Sequence, residues 1–452
     1  MNKRKKLGYF FENPVLHFES LVKEFTDKTF KEFDAASKKF ELTEKINDLI
    51  SGKIVNKSES QSALHPKYRS YSSGIKMPNH LAEAEIKAEK FLNKSINTCA
   101  NKGYDTINIF TLGIGGSYEG PKLLLEALNN PIHNDKTKLA KISYDFITGS
   151  DPNEFENKTQ TLDPENTFFI VSSKSFTSDE TIESLKKAFA WSGNKKKFIA
   201  ITANPDEVSQ YDIEDIISFD KEIGGRYSIW SPITQFQLFG VNRVAFQKGG
   251  QQADIDLLED EDYLTFVKRL SYSDIYLNNN GIHVRAILSY AWNLRSLPCY
   301  FQQLEMESLG KRANSDSDFE NTGQIIFGGY GPTAQHSYFQ LLHQGTQKIS
   351  ADIIAIKEDN KNLAYAQAIT QSKLLSNGDS EIQLENESKI NGNVPVNLFH
   401  LKKLNAYNLG YLIATWEHRV FITASILGIN PFDQFGVSAG KIYTKKYLAE
   451  KK

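Results

Sequence analysis

From about residue 105 the chain alternates short apolar runs with amphipathic stretches, and this alternation confines it to an α/β fold. INIFTL (107–112), ISYDFI (142–147), TFFIVSS (167–173), FIAITA (198–203) and IISF (216–219) read as buried strands. PKLLLEAL (121–128) and ETIESLKKAFAW (180–191) lie between some of them with helical spacing. Such βαβ units build a mainly parallel sheet. A second series begins near 281. There HVRAILSYAWNLRS (283–296) reads as a helix, and PCYFQQLEM, GQIIFGG and ISADIIAI read as strands. QHSYFQLLHQG (335–345) reads as a helix, LGYLIATWEHRVFITASILG (409–428) as a long apolar helix, and about 440–452 as a basic terminal helix. Residues 1 to about 95 look helical and polar, with a Ser-, Gly-, Pro- and Tyr-containing excursion from Ser51 to Pro78. The expected organisation is a helical N-terminal region (1–95), two three-layer α/β/α domains (96–270 and 271–430) and a C-terminal tail (431–452).

Length and composition fit this plan. The 452 residues suggest two or three domains, and 40% apolar with 24% charged residues is an ordinary globular balance. A net charge of −2 gives no global basic field for nucleic acid. The basic runs Lys3–Lys6 and Lys195–Lys197 are short and read as solvated surface. Cys99 and Cys299 form no CxxC pair, so a zinc ribbon or thioredoxin-like centre is not expected, and free buried thiols are. The N-terminal stretch MNKRKKLGYFFENPVLHF starts basic, but Glu12, Asn13 and Pro14 break any signal-peptide core. No window approaches 18 uninterrupted apolar residues. The expected location is the cytoplasm, with no membrane partner.

Two segments carry phosphate-type signals. LGIGGSYEGP (112–121) places Gly116 and Ser117 between a strand and a helix, where the backbone can approach an anion. Tyr118 stands where the dinucleotide fingerprint needs a small residue, and no Walker A pattern occurs. On its own this turn is either a ligand contact or a tight structural turn. SSKSFTSDET (172–181) brings Ser173, Ser175, Thr177, Ser178 and Lys174 to the start of a helix. Hydroxyls, amides and one cation there form a phosphate cradle. The same residues also allow a capping box, Thr177 with Glu180. Both segments end predicted parallel strands, where open α/β sheets bind ligands.

Four further segments carry acid–base chemistry. In KEIGGRYSIWSP (221–232) Arg226 follows two glycines, as an oxyanion-neutralising guanidinium or a surface ion-pair residue. QQLEMESLGKR (302–312) offers Gln303, Glu305 and Glu307, and a carboxylate in a dry cleft can act as a general base. GPTAQHSYFQLLHQGT (331–346) holds His336 at a predicted helix start and His343 deeper in it. No carboxylate-interleaved ligand pattern accompanies them, so no metal is expected. INPFDQFGVSAGK (429–441) offers Gln434 and Lys441, with Asp433 equally suited to capping a turn.

Taken together and in this order, the six segments from 112 to 441 resemble the glucose-6-phosphate isomerase family. The resemblance implies two sugar isomerase (SIS) domains, a homodimer, and interconversion of glucose 6-phosphate and fructose 6-phosphate with no cofactor. It implies that Glu307 moves a proton between C1 and C2 and that Arg226 stabilises the enediolate. His336 and Lys441 would serve ring opening and closing, with His336 donated across the dimer interface. Gly116, Ser117, Ser173, Lys174, Ser175 and Ser178 would hold the phosphate, and Gln303 and Gln434 the sugar. The chain departs from the family's pattern at GGYGPTA before Gln335 and at Leu309 after Glu307-Ser308. The alternatives are a non-catalytic SIS module that senses sugar phosphates, or an isomerase that also accepts mannose 6-phosphate.

Overall fold

The computed structural model describes residues 8–70, 79–128, 141–314, 317–379 and 386–451. The basic run Lys3–Lys6 and the 71–78 end of the N-terminal excursion lie outside them. The N-terminal region opens with strands β1 (Phe10–Glu12) and β2 (Leu16–Ser20), then helices α1 (Asp27–Ser37) and α2 (Leu42–Ser51). A small hairpin follows, β3 (Ile54–Asn56) and β4 (Gln61–Ser62), then α3 (His65–Arg69) and the long α4 (Asn79–Asn101).

The first large sheet is built from β5 (Thr106–Leu112), α5 (Glu119–Ala127), β6 (Lys141–Ile147), α6 (Pro152–Thr159), β7 (Thr167–Ser172), α7 (Asp179–Ser192), β8 (Phe198–Thr202), α8 (Pro205–Val208) and β9 (Asp215–Ser218). Its five strands are all parallel, in the order β6-β5-β7-β8-β9. The five strands match the five expected runs. Every residue of β7 and β8 is buried, which is why they read as continuous apolar runs rather than alternating ones. The chain reverses direction between β5 and β7, the kind of switch point at whose carboxyl ends open α/β sheets bind ligands.

Two helices, α9 (Gly240–Glu259) and α10 (Glu261–Asn279), lead to the second sheet. It comprises β10 (Val284–Ser289), α11 (Leu297–Leu309), β11 (Ile325–Tyr330), α12 (Gly331–Ala334), α13 (Phe339–Gln344), β12 (Ile349–Ile356), α14 (Leu363–Asn377) and β13 (Val396–Leu401). The order is β1-β2-β13-β12-β10-β11, with β10 to β13 parallel and the β1–β2 hairpin antiparallel at one edge. The chain ends with α15 (Ala406–Leu427), buried along almost its whole length, and α16 (Ser438–Glu450), which buries none of its residues. The α/β class with mainly parallel sheets is as expected. No helix among the described residues is long and apolar enough to cross a membrane.

Several local readings are corrected. The segment 283–296 is a central strand, β10, followed by a turn, not a helix; a short buried apolar run has no periodicity that separates the two. PCYFQQLEM is helix α11, not a strand. Pro298 sits in its first turn, where a missing amide costs nothing, and burial of Leu297, Phe301, Leu304 and Ser308 follows helical spacing. Residues 335–345 are not one helix, because a turn at 335–338 separates α12 from α13 and holds His336. The N-terminal region is not purely helical, since β2 pairs with β13. Lys197 is buried and donates to the Pro164 carbonyl, so it is no solvated lysine. Both cysteines are free, with Cys99 buried but Cys299 exposed.

Candidate active site

The site lies where the two switch-point strands of the first sheet end. After β5 the backbone turns at Gly115 with φ +59°, a left-handed conformation that glycine adopts without strain. A Cβ on Gly116 would stand 2.0 Å from the Gly225 carbonyl oxygen, so any side chain there would collide with main chain. The two glycine segments therefore fix one another in place, and Gly225 opens the 3₁₀ turn Gly225–Trp230 that carries Arg226. A Cβ on Gly115 would lie 3.2 Å from Gln303 Nε2, which brings α11 to the same turn.

Arg226 is 1% exposed, so the reading as a surface ion-pair residue is excluded. Its Nη1 donates to Glu307 Oε2 at 3.1 Å and to Gln434 Oε1 at 2.7 Å. Its Nε donates to Ser308 Oγ at 2.8 Å, and its Nη2 donates to the Pro431 and Asp433 carbonyls. Five acceptors thus fix the guanidinium, with its charge directed at one carboxylate. Gln303 Nε2 donates to the other oxygen, Glu307 Oε1, at 3.0 Å. Gln303 and Glu307 are four apart on α11, hence on one face. The Glu307 side chain stays 35% exposed, so it is oriented but still reachable. Glu305, also offered by the sequence, points elsewhere: it is buried against Arg285 and Trp416 and acts as part of the core.

The hydroxyl-rich loop after β7 is ordered by its own side chains. Ser173 Oγ accepts from the Phe176 amide at 3.1 Å, closing a turn in which Phe176 has φ +55°. Thr177 donates to Ser175 Oγ at 2.8 Å. The N-cap of α7 is Ser178, without a side-chain cap bond, so the Thr177–Glu180 capping box does not form. The first amides of α7 are left open for another acceptor. Lys174 keeps exposed surface, yet surrounding protein atoms partly strip its ammonium of water and lower its pKa. Glu59 and Glu222 oppose that shift, and Arg226 adds to it.

Ser117 is buried beside the glycine turn. His336 and Lys441 are exposed, and neither makes a hydrogen bond or ion pair with the Arg226–Glu307 cluster among the described residues. On α16, Lys445 pairs with Asp179 of α7 at 3.4 Å, which puts the helix of Lys441 beside the start of the hydroxyl loop's helix. His343 is half-buried and meets Gln371 at 2.9 Å, a structural role. Asp433 accepts from Ser58 at 2.6 Å and braces its own turn. The two departures from the family pattern are accommodated. Pro332 occupies the first turn of α12, where its missing amide is harmless, and Leu309 is 5% exposed in the core.

Sequence reasoning missed three supports. Lys311 donates to the Glu307 and Asp433 carbonyls, tying α11 to the 429–434 turn. Ser308 joins Arg226 to the Tyr227 hydroxyl at 3.0 Å, and His65 stacks on Tyr227 at 4.5 Å. Closeness to Glu307 was the signal for Lys311 and Ser308, and His65 carried none. Among the described residues no group of three or more His, Cys, Asp or Glu side chains converges as metal ligands would.

Residues 21–452 match the family model described as phosphoglucose isomerase. A glucose-6-phosphate isomerase from Legionella pneumophila strain Lens is 33% identical over 419 residues, covering 88% of this chain and 82% of that protein. One from Shewanella woodyi is 32% identical over 468 residues, covering 92% and 84%. The crystal structure of a glucose-6-phosphate isomerase from Chlamydia trachomatis superposes with a TM-score of 0.83 at 23% identity, covering 98% of this chain and 90% of that one. That likeness establishes the fold.

Proposed function

The chain belongs to the phosphoglucose isomerase family, and from that premise we propose that it interconverts glucose 6-phosphate and fructose 6-phosphate at the cluster around Glu307. The observation that carries this reading is a reachable carboxylate gripped on one oxygen by a buried arginine and on the other by a glutamine. A carbon acid next to a carbonyl needs a base and a nearby positive charge for the enediolate it leaves. Glu307 takes the proton from C2 of the open aldose and returns it at C1. Arg226, already fixed by five acceptors, neutralises the enediolate oxygen without reorganising. The glycine turn and the Ser173–Ser178 loop hold the phosphate, remote from the reacting carbons, so that its binding positions them.

Ring opening needs a proton at the ring oxygen and one taken from O1. Lys441 and His336 supply these transfers, Lys441 from α16 and His336 from the partner of a homodimer. The exposure of His336, and the absence among the described residues of a hydrogen bond or ion pair between it and its own chain's cluster, support donation to a second copy. The reaction proceeds in the cytoplasm on a free sugar phosphate, with neither nucleic acid nor membrane as partner.

A coupled assay of fructose 6-phosphate to glucose 6-phosphate, run with a chelator present and with mannose 6-phosphate in parallel, tests the reading. Turnover of the glucose pair is expected; its absence would overturn the assignment. Two variants test the parts. Arg226→Lys keeps the charge but loses the forked geometry, and kcat should fall about 10²–10³-fold. An unchanged kcat would remove Arg226 from the transition state. The Ser173→Ala/Ser178→Ala pair should raise KM about tenfold or more with little change in kcat, as lost bonds to a charged group require. An unchanged KM would move the phosphate elsewhere.

A further inference from the structure

Helix α3 spans His65 to Arg69, and three of its side chains face the segment that carries Arg226. The Tyr68 hydroxyl donates to Asp220 Oδ2 at 2.7 Å. Just before the helix, the Leu64 amide donates to the Glu222 carbonyl at 3.2 Å. The His65 ring stacks on Tyr227 with centroids 4.5 Å apart, and the Arg69 guanidinium lies 4.7 Å from the centroid of Trp230. Tyr227 and Trp230 belong to the same 3₁₀ turn as Arg226. The helix therefore runs alongside that turn and grips it on both sides of the arginine.

Arg69 is itself fixed. Its Nε and Nη2 donate as a fork to the two oxygens of Asp254, each at 2.7 Å, and its Nη1 donates to Glu417. The other oxygen of Glu417 accepts from Trp230 Nε1 at 2.8 Å. Glu417 thus bridges the guanidinium and the indole that are already stacked. Helix α9 presents Gln247, Gly250 and Asp254 on one face toward this group. Gln247 Nε2 donates to the Tyr68 and Trp230 carbonyls at 3.0 and 3.3 Å. A Cβ on Gly250 would stand 2.5 Å from the Trp230 ring and 2.7 Å from Arg69 Cδ, so only glycine admits the stack. Arg69, Trp230 and Glu417 are at most 1% exposed, and the arrangement is complete within one chain.

Desolvation offsets attraction in a buried ion cluster, so charges add little stability there over apolar packing. What a forked arginine–carboxylate pair fixes is direction. Direction matters at this turn, because a group that stabilises a transition state by preorganised charge loses about a hundredfold in rate when displaced by about 1 Å. Glu307, Gln434, Ser308 and two carbonyls hold the Arg226 side chain; none of them holds its main chain. Resting on the isomerase reading above, we propose that α3 is the positioning element of the site, with Arg69, Glu417 and His65 as positioning residues that set where Arg226 presents its charge.

The test is a double-mutant cycle on the full chain, assayed from fructose 6-phosphate. Glu417→Gln and His65→Ala are each made alone and together with Arg226→Lys. Glutamine is nearly isosteric, but its one oxygen cannot accept from both Arg69 and Trp230. Each single variant is expected to lower kcat about tenfold or more with KM within about threefold of wild type. In the Arg226→Lys background the same change should cost less than about threefold, since the charge it would misplace is already compromised. A merely structural role would lower the active fraction instead, and the losses would multiply. Thermal unfolding of each variant identifies the folded ones, and because the two changes act on opposite sides of Arg226, either alone decides. Wild-type turnover and the Arg226→Lys loss are read first, and their failure sinks the isomerase reading. If they hold, then multiplying losses, a KM that rises in step with the fall in kcat, or unchanged kcat in a folded single variant would each overturn the positioning role alone.

Discussion

Glu307→Gln is expected to lower kcat for both directions of isomerisation by at least about 10³-fold while leaving KM or direct sugar-phosphate binding within about threefold of wild type, since a positioned general base contributes roughly 10²–10⁴. The substitution is nearly isosteric. The amide oxygen can still accept from Arg226 Nη1 or from Gln303 Nε2, the two donors that orient the carboxylate. What is lost is the ability to hold a carbon-derived proton. The split between kcat and KM is therefore diagnostic. Loss of an orienting contact would raise KM, and loss of the base lowers kcat alone. Ser308→Ala is the companion measurement. It removes the acceptor for Arg226 Nε and the hydrogen-bond partner of the Tyr227 hydroxyl, but touches no reacting atom. Wild-type turnover by Glu307→Gln would mean that another group carries the proton.

The first sheet and the residues of the Arg226–Gln303–Glu307–Gln434 cluster were legible in the sequence, and the reasons are physical. A strand buried on both faces prints itself as an unbroken apolar run, as in FFIVS of β7 and FIAIT of β8. Glycines forced together by backbone contact, such as Gly116 against Gly225, survive in the sequence as visible clusters. The second sheet was less legible. β10 and α11 exchanged roles in the reading because AILSYAW and CYFQQL are both apolar and short, and only their pairing partners decide between them. Pro298 was the available clue, since it suits a first helical turn and not a central strand. The N-terminal β1–β2 hairpin was invisible for a related reason: its pairing is with β13, nearly four hundred residues away, and long-range pairing leaves no local mark. The supports of the site were hidden in the same way. Nothing in the local sequence reveals that the carbonyls of Pro431 and Asp433 accept from Arg226. That contact is made when the end of α15 folds over α11, and it explains how a buried guanidinium is tolerated at all, with every donor direction answered.

Mixing two inactive variants should restore activity, because the proposed site draws on two chains. His336→Ala alone lacks the ring-opening histidine, and Glu307→Gln alone lacks the base. In a homodimer whose His336 serves the partner's cleft, a hybrid of the two variants pairs the intact Glu307 of one chain with the intact His336 of the other. Its second cleft carries both defects and is dead. Random reassortment makes half the dimers hybrids, each with one good cleft of two, so the mixture recovers about a quarter of wild-type activity. The geometry makes this a sharp test. His336 sits in the exposed turn between α12 and α13, after the second sheet, whereas Glu307 lies on α11 against the glycine turn of the first. If His336 reached Glu307 within its own chain by closure of the cleft, no arrangement of the two variants would combine the intact residues, and mixing would recover nothing. Subunits must exchange for the assay to read out, so the variants should be unfolded and refolded together, with wild-type protein carried through the same cycle as the reference. Recovery near a quarter assigns the histidine to the partner; recovery indistinguishable from the separate variants assigns it to the same chain and removes the need for a dimer from the mechanism.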